Sequence, residues 1–447
     1  MKNNLTNKFV DYLFEKSKIR HSEDIMHQAK KCLLDYIGVT LAGAKLFNKK
    51  GNALLNNLGD NKGQSVVIGF QKKSSLQNAV LLNGFSSHIT ELDDGMRFGM
   101  IHPGTSVISS LISLDRKELK NGKNLLNSII IGYEAAILIS KLVQPSHKLN
   151  GFHATGTCGT IGSAAGISVA LDLSKEQFKN AVSAAATSSS GLLEMIEDDS
   201  QLKPYNAAKA SLNGLISALV SRSGIKGPND PLGGKRGFVL SLSSNSSLDF
   251  EIINDYLIKK IYQKPYAACR HCHPAIDAVL KLKKKYPLEN KKIKKIKVAT
   301  YDLAVKGHDH KNILGESSAK MSIPYSVAIS LINNKAGIED FTDYYIKDKN
   351  VIELISKVEV FSDEKLSLLV PEKRTAIVEI ITNENLSYKE KIDYPKGEPE
   401  NPLSDEELLN KFVSLATYAG KNENEINKII EHVFNIENDL DKLFEFL

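Results

Sequence analysis

The stretch Ser22–Gly43, SEDIMHQAKKCLLDYIGVTLAG, decides how the first half of the chain folds. Ile25, Ala29, Cys32, Leu33, Tyr36 and Ile37 recur at spacings of one, three or four, which lays one apolar stripe along an α-helix. Gly43 follows the last periodic positions and predicts the helix stop. Outward from it, SLQNAVLLNGFSSHI (75–89) and TSVISSLISL (105–114) read the same way. TCGTIGSAAGISVALDL (157–173) is dominated by small residues that lower helix propensity, so its glycines predict close approach of a neighbouring helix or of a ligand. In SKEQFKNAVSAAATSSSGL (174–192), Ser174 and Gln177 form the pattern of a capping box. About 260 residues therefore read as helix packed on helix.

The pattern changes after about residue 285. KKIKKIKVATY (291–301), SKVEVFSD (356–363) and RTAIVEIITNE (374–384) are β-branched and partly alternating, as half-buried strands are. YKEKIDYPKG (388–397) reads as a further edge strand, and KMSIPYSVAISLINNK (320–335) as a Pro-initiated helix. In SDEELLNKFVSLA (404–416), Ser404 and Glu407 predict another capping box. The expected fold class is mainly α with an α+β second domain. A large discontinuous all-helical domain occupies 1–265, a smaller α+β domain 266–398, and C-terminal helices over 399–447 rejoin the first.

With 447 residues, the chain is longer than one hydrophobic core usually serves. Apolar residues make up 42% and charged residues 25%, ordinary values for a globular protein. The net charge of +6 is modest. The densest basic run, KLKKKYPLENKKIKKIK (281–297), reads as a solvated helix end and strand edge, so no nucleic-acid partner is expected. Four cysteines (Cys32, Cys158, Cys269 and Cys272) make no disulfide framework. The N-terminus lacks a signal-type apolar core, and the longest apolar run, LLNSIIIGYEAAILIS (125–140), is broken by Glu134. A reduced, cytoplasmic protein with no membrane partner is the expectation.

Chemistry concentrates in KPYAACRHCHPAIDA (264–278). Cys269, His271, Cys272 and His273 offer zinc-ligand types, but no second ligand pair accompanies them. A Cys-x-x-Cys redox pair needs a thioredoxin-like context that is absent, and a cysteine nucleophile with a histidine base needs an oxyanion hole that sequence does not show. The remaining reading is a cationic acid/base site. Lys264, Arg270 and His273 would converge with residues of the helical domain. ELDDGMRFGMIHPGTS (91–106) carries Asp93, Asp94 and His102; NGFHATGTCGTIG (150–162) carries His153; QLKPYNAAKASLNG (201–214) carries Lys203 and Lys209. Several sit beside Gly or Pro, as residues at loop-to-helix junctions do, where helix N-termini add N–H donors and partial positive charge. Such junctions meeting in one cleft suit a small polyanion. His88 is read as structural. Walker, Rossmann, H-E-x-x-H and G-x-S-x-G patterns are absent.

Six segments in order, NGFSSHITELDDG, HPGTSV, GFHATGTCGTIGSAAG, KPYNAAKASLNG, KPYAACRHCHPAIDA and KMSIPYSVAISLI, resemble the MmgE/PrpD family, as does CLLDYIGVTLAG near the start. That family includes 2-methylcitrate dehydratase, cis-aconitate decarboxylase and iminodisuccinate epimerase. The resemblance implies an enzyme without cofactor or metal acting on a small di- or tricarboxylate, a homodimer, and an active site between the domains. Carried onto matching positions, its site residues are Asp93, His102, His153, Lys203, Lys264, His273 and Tyr325, with Cys269 close by. Lys203, Lys264, Lys209, Cys269 and Arg270 are the expected substrate-binding set. Two departures are visible: Glu91 in HITELDD (88–94) replaces an aspartate, and the longer segments of the dehydratase branch are missing. Elimination of water or CO₂ is the first expectation, and epimerisation beside a carboxylate is the alternative. A zinc-dependent protein built on the Cys-His cluster is the second alternative.

Overall fold

The computed structural model describes residues 4–59, 62–197, 200–245, 248–252 and 255–447. It is mainly helical, with a small mixed sheet in the C-terminal region. The Glu23–Leu58 helix carries the stripe that opens the sequence analysis, and it runs 36 residues, straight through Gly43. The expected stop at Gly43 is therefore corrected. A Cβ there would lie 1.8 Å from the carbonyl oxygen of Ser86. The glycine lets the Leu76–Ile89 helix press against this one, which is a packing role and not a C-cap.

The Ala154–Ala170 helix is buried almost all round. Its small residues admit the Gly122–Val143 helix closely: a Cβ on Gly162 would sit 2.5 Å from that of Ala136. The Gly122–Val143 helix is long and apolar enough to cross a bilayer by length and composition, but 83% of its most apolar window is buried inside the protein. Glu134, at its middle, has no exposure and receives Lys16 Nζ at 2.8 Å and the backbone N–H groups of Leu257 and Ile258. A buried carboxylate survives when it is paired and hydrogen-bonded in this way.

The capping boxes at Ser174/Gln177 and Ser404/Glu407 are both present. The helices Asp405–Ala419, Glu423–Phe434 and Ile436–Leu443 pack back on the first helices, and Phe412, Ile429, Val433 and Leu443 enter the large core that includes Leu33, Ile37 and Ile130.

Strands Val358–Ser362, Ile293–Thr300, Ala376–Thr382 and Ser387–Ile392 lie side by side in that order; the first pair is parallel and the others antiparallel. Ser387–Ile392 is at the edge, as its composition predicts. Ile296, Val298, Val378 and Ile380 face a second core shared with the helices His273–Lys285 and Ile323–Asn333. Their neighbours Lys295, Lys297, Glu359 and Glu379 pair on the opposite, wet face. That is the period of two expected for a half-buried sheet. Ser322 caps the Pro-initiated helix by accepting from Tyr325 N–H.

Candidate active site

Three helix starts and one irregular segment converge on a small cleft between the two cores. His102 precedes the Pro103–Ile112 helix, His153 precedes the Ala154–Ala170 helix, and Lys203 is the first residue of the Lys203–Arg222 helix. In the first and third, proline occupies an early position that needs no N–H donor, which sets the start sharply. Opposite them runs Lys264–His271, which passes through a 3₁₀ turn at Arg270–Cys272. His308 and Arg374 join from farther along the chain.

The cleft holds about 110 Å³ of solvent-accessible space, room for a small molecule and not for a polymer. Five cationic side chains line it (Lys148, Lys203, Lys264, Arg270 and Arg374), with Glu91 as the sole Asp or Glu among the described lining residues. Glu91 is buried and holds a left-handed backbone at φ 58°. It receives Lys203 Nζ in a very short contact and Lys264 Nζ at 3.3 Å. Burial pushes the Glu91 carboxyl up, but Lys203 and Lys264 outweigh it and hold the group well below its usual range. A residue held at positive φ outside glycine is strained, and such strain collects at functional sites.

Behind this layer, Asp93 Oδ2 accepts from His88 Nδ1 at 2.6 Å and lies 3.3 Å from His102 Nδ1, while its Oδ1 lies 3.8 Å from Lys264 Nζ. His102 Nδ1 also lies 2.6 Å from the carbonyl oxygen of Asp94. A carbonyl only accepts, so Nδ1 carries the hydrogen and Nε2 keeps its lone pair. Burial, followed by Lys264 and His88 against the opposing pull of Asp93, lowers His102 to about 3. Burial and the same cationic surroundings hold His153 well below its usual value. Both rings are therefore neutral near pH 7. Asp94 is pushed up to about 7 by burial, although Tyr133 donates to its Oδ2 at 2.6 Å.

A third group faces the same space. Cys269 Sγ lies 3.2 Å from His308 Nε2, and the His271 and His308 rings sit tilted to each other with centroids 4.9 Å apart. Cys269, His271 and His308 bring one ligand atom each within 4.8 Å of one another, as do His88, Asp93 and His102. These are the two groups among the described residues that have metal-ligand composition.

The expected site residues divide. His102, His153, Lys203, Lys264 and Cys269 line the cleft, and Asp93 supports it from behind. Arg270 reaches the lining, and its donors go to Glu398, His273 and the carbonyls of Pro395 and Lys396. His273 is turned into the protein: Nδ1 accepts from Arg270 Nη1 at 2.8 Å and Nε2 donates to the Ala268 carbonyl at 3.0 Å. Tyr325 has no exposure, donates to the carbonyl of Asp340 and packs on Phe341, away from the cleft. Lys209 donates to Ser190 Oγ outside it. The zinc set proposed from Cys269, His271, Cys272 and His273 is not assembled, because Cys272 enters the second core. Glu91, Lys148, His308 and Arg374 escaped sequence reasoning as site residues. His308 follows Gly307, so the glycine-neighbour criterion would have found it. Arg374 lies two residues before the Ala376–Thr382 strand and carries no such signal.

The MmgE/PrpD N-terminal domain model matches residues 7–251, and the MmgE/PrpD C-terminal domain model matches residues 266–436. The chain belongs to the MmgE/PrpD family. As a family member it is similar to the cis-aconitate decarboxylase-like protein oryM of Aspergillus oryzae, at 24% identity over 98% of this chain and 95% of that protein. It is also similar to cis-aconitate decarboxylase of Aspergillus terreus, at 23% over 95% and 92%. To cis-aconitate decarboxylase of Homo sapiens the identity is 24% over 90% of this chain and 85% of the human protein. In this MmgE/PrpD chain the cleft draws residues from both matched regions: Glu91, His102, Lys148, His153 and Lys203 from the first, and Cys269, His271, His308 and Arg374 from the second.

Proposed function

We propose that this protein is a lyase that removes CO₂ from a small di- or tricarboxylate, without a resident cofactor. One observation carries the reading: Lys148, Lys203, Lys264 and Arg374 surround a small cleft into which two neutral histidines, His102 and His153, project. Fixed cations in a water-poor space bind carboxylates and stabilise charge that develops during reaction. When the bond to the departing carboxylate breaks, its electron pair spreads toward a neighbouring carboxylate as an enolate, and the lysines neutralise it. Glu91 keeps Lys203 and Lys264 in place before substrate arrives. The names of the curated relatives favour decarboxylation over dehydration. His102 Nε2 is a proton acceptor at the same place, which also suits abstraction beside a carboxylate, the first step of an epimerisation.

The test is proton NMR of the purified protein in D₂O with cis-aconitate, 2-methylcitrate, citrate and iminodisuccinate. Loss of an acid with a decarboxylated product, deuterated at one carbon, supports the reading. Deuterium exchange at an α-carbon without net loss would replace it by epimerisation. No change with any of the acids would overturn it.

A further inference from the structure

A decarboxylation leaves an electron pair that must take up one proton, and His102 is poorly suited to give it. Its hydrogen is committed to the Asp94 carbonyl, and the nitrogen left over carries a lone pair. His153 is likewise neutral. On the facing wall, Cys269 Sγ and His308 Nε2 line the cleft 3.2 Å apart, close enough to share one proton. We propose that Cys269 and His308 are the proton-delivering pair of the cleft, with Cys269 Sγ as the atom that protonates carbon. This inference rests on the lyase reading above.

The geometry supports it independently of the substrate. His308 Nδ1 lies 3.0 Å from the Lys306 carbonyl and so carries a hydrogen, which leaves Nε2, 3.2 Å from Cys269 Sγ, as the ring atom that shares a proton with the sulfur. Cys269 is anchored through its backbone N–H to the Lys320 carbonyl at 2.8 Å, and its half-buried side chain faces the lining lysines. Burial alone raises its thiol, but His308, followed by Lys203, outweighs burial and brings it down to about 6, near enough to neutral pH for the sulfur both to give up a proton and to regain one through His308. The other cysteines are different. Cys32, Cys158 and Cys272 are buried, and burial pushes each thiol up.

The proton balance closes. The carbon–carbon bond to the leaving carboxylate breaks, CO₂ departs, and its electron pair stays on the substrate. The Sγ–H bond breaks and its proton goes to that carbon, leaving a thiolate next to Lys203. One proton from solvent, passed through His308 Nε2, restores the thiol, so each turnover consumes one proton.

Metal binding by Cys269, His271 and His308 is the competing use of these atoms. Lys148 Nζ lies 3.5 Å from His271 Nε2, a cation beside one of the three candidate ligand side chains. Lys203 and Arg374 line the same space, so a dication would add to an already cationic wall.

The test begins with iodoacetamide labelling of the intact wild-type chain across pH 5–9, with peptide mapping. Cys269 should label first, with a midpoint about one unit or more below that of an ordinary thiol, and His308→Gln should move the midpoint up. Tricarballylate, an unreactive tricarboxylate, should protect Cys269. A midpoint near an ordinary thiol value that His308→Gln leaves unchanged would overturn the pair, as would zinc at one per chain that is lost in Cys269→Ala. Where the wild type decarboxylates an acid, Cys269→Ala and Cys269→Ser should each lower kcat about 100-fold or more with KM little changed. Full kcat in both variants would overturn the inference and leave the lyase reading intact. A wild type inert toward every acid would end the lyase reading. In that case, protection by tricarballylate decides whether the pair faces an acid-binding site, and absence of protection overturns it.

Discussion

His102 donates its Nδ1 hydrogen to the carbonyl oxygen of Asp94 at 2.6 Å, and that bond leaves the ring's lone pair on Nε2. His102→Asn retains an N–H near the Nδ1 position but removes the Nε2 lone pair. If the reaction is epimerisation, which needs a base at that nitrogen, this variant should lower kcat about 100-fold. In the decarboxylation, where Cys269 supplies the proton, the loss should fall on substrate binding and leave kcat within about tenfold. The unfolding midpoint should stay within a few degrees of wild type in either case. His102→Gln, which places its amide nearer the Nε2 position, should recover part of the binding but little of the rate. Steady-state kinetics and thermal denaturation on the same preparations check both.

Lys203 and Lys264 share Glu91, so removal of either leaves the carboxylate with one cation. Lys203→Met and Lys264→Met should each reduce kcat/KM about 100-fold, equivalent to about 3 kcal/mol of transition-state stabilisation. Lys264 has no exposure, so its variant should also be less stable, because Glu91 and Asp93 remain buried beside fewer positive charges. Kinetics and urea denaturation separate the two effects.

Acid should destabilise the fold between about pH 6.5 and pH 4. His102, His153, His271 and His273 are all held below their ordinary value, chiefly by burial. In that window the unfolded chain binds protons that the folded chain refuses, so stability rises with pH by up to about 1.4 kcal/mol per unit for each such ring. Asp94 acts in the opposite sense: it is raised to about 7, so the folded state holds a proton that the unfolded state releases. Its contribution weakens the slope between about pH 4 and pH 7. Asp94→Asn should therefore steepen the fall of the melting temperature on acidification, measured by calorimetry across pH 4–7.

Tyr325 packs in the second core, outside the residues that line the cleft. Its hydroxyl donates to the Asp340 carbonyl at 2.8 Å, so Tyr325→Phe should cost about 1 kcal/mol of stability and leave kcat and KM within about twofold of wild type. Chemical denaturation and steady-state rates check the pair of outcomes. A large loss of kcat at unchanged stability would return Tyr325 to the site.

What the sequence by itself determined is local. The 3.6-residue stripe of Ser22–Gly43, the capping boxes at Ser174 and Ser404, the alternation in the strands and the Pro-marked helix starts at His102 and Lys203 all depend on groups within a few residues of one another. The placement of His102, His153 and Lys203 at helix starts was legible for that reason. Side-chain direction in Lys264–Ala278 was not. In the 3₁₀ turn, residues three apart eclipse, so Arg270 and His273 share one face and bond to each other, while Cys269 faces the cleft. Which face turns inward depends on Glu398, far along the chain. The same holds for Gly43, which reads as a stop until the carbonyl of Ser86 is brought against it. His308 and Arg374 enter the cleft only when the sheet domain closes over the helices. Pairing across such distances is set by how two cores pack, and no periodicity within either segment records it.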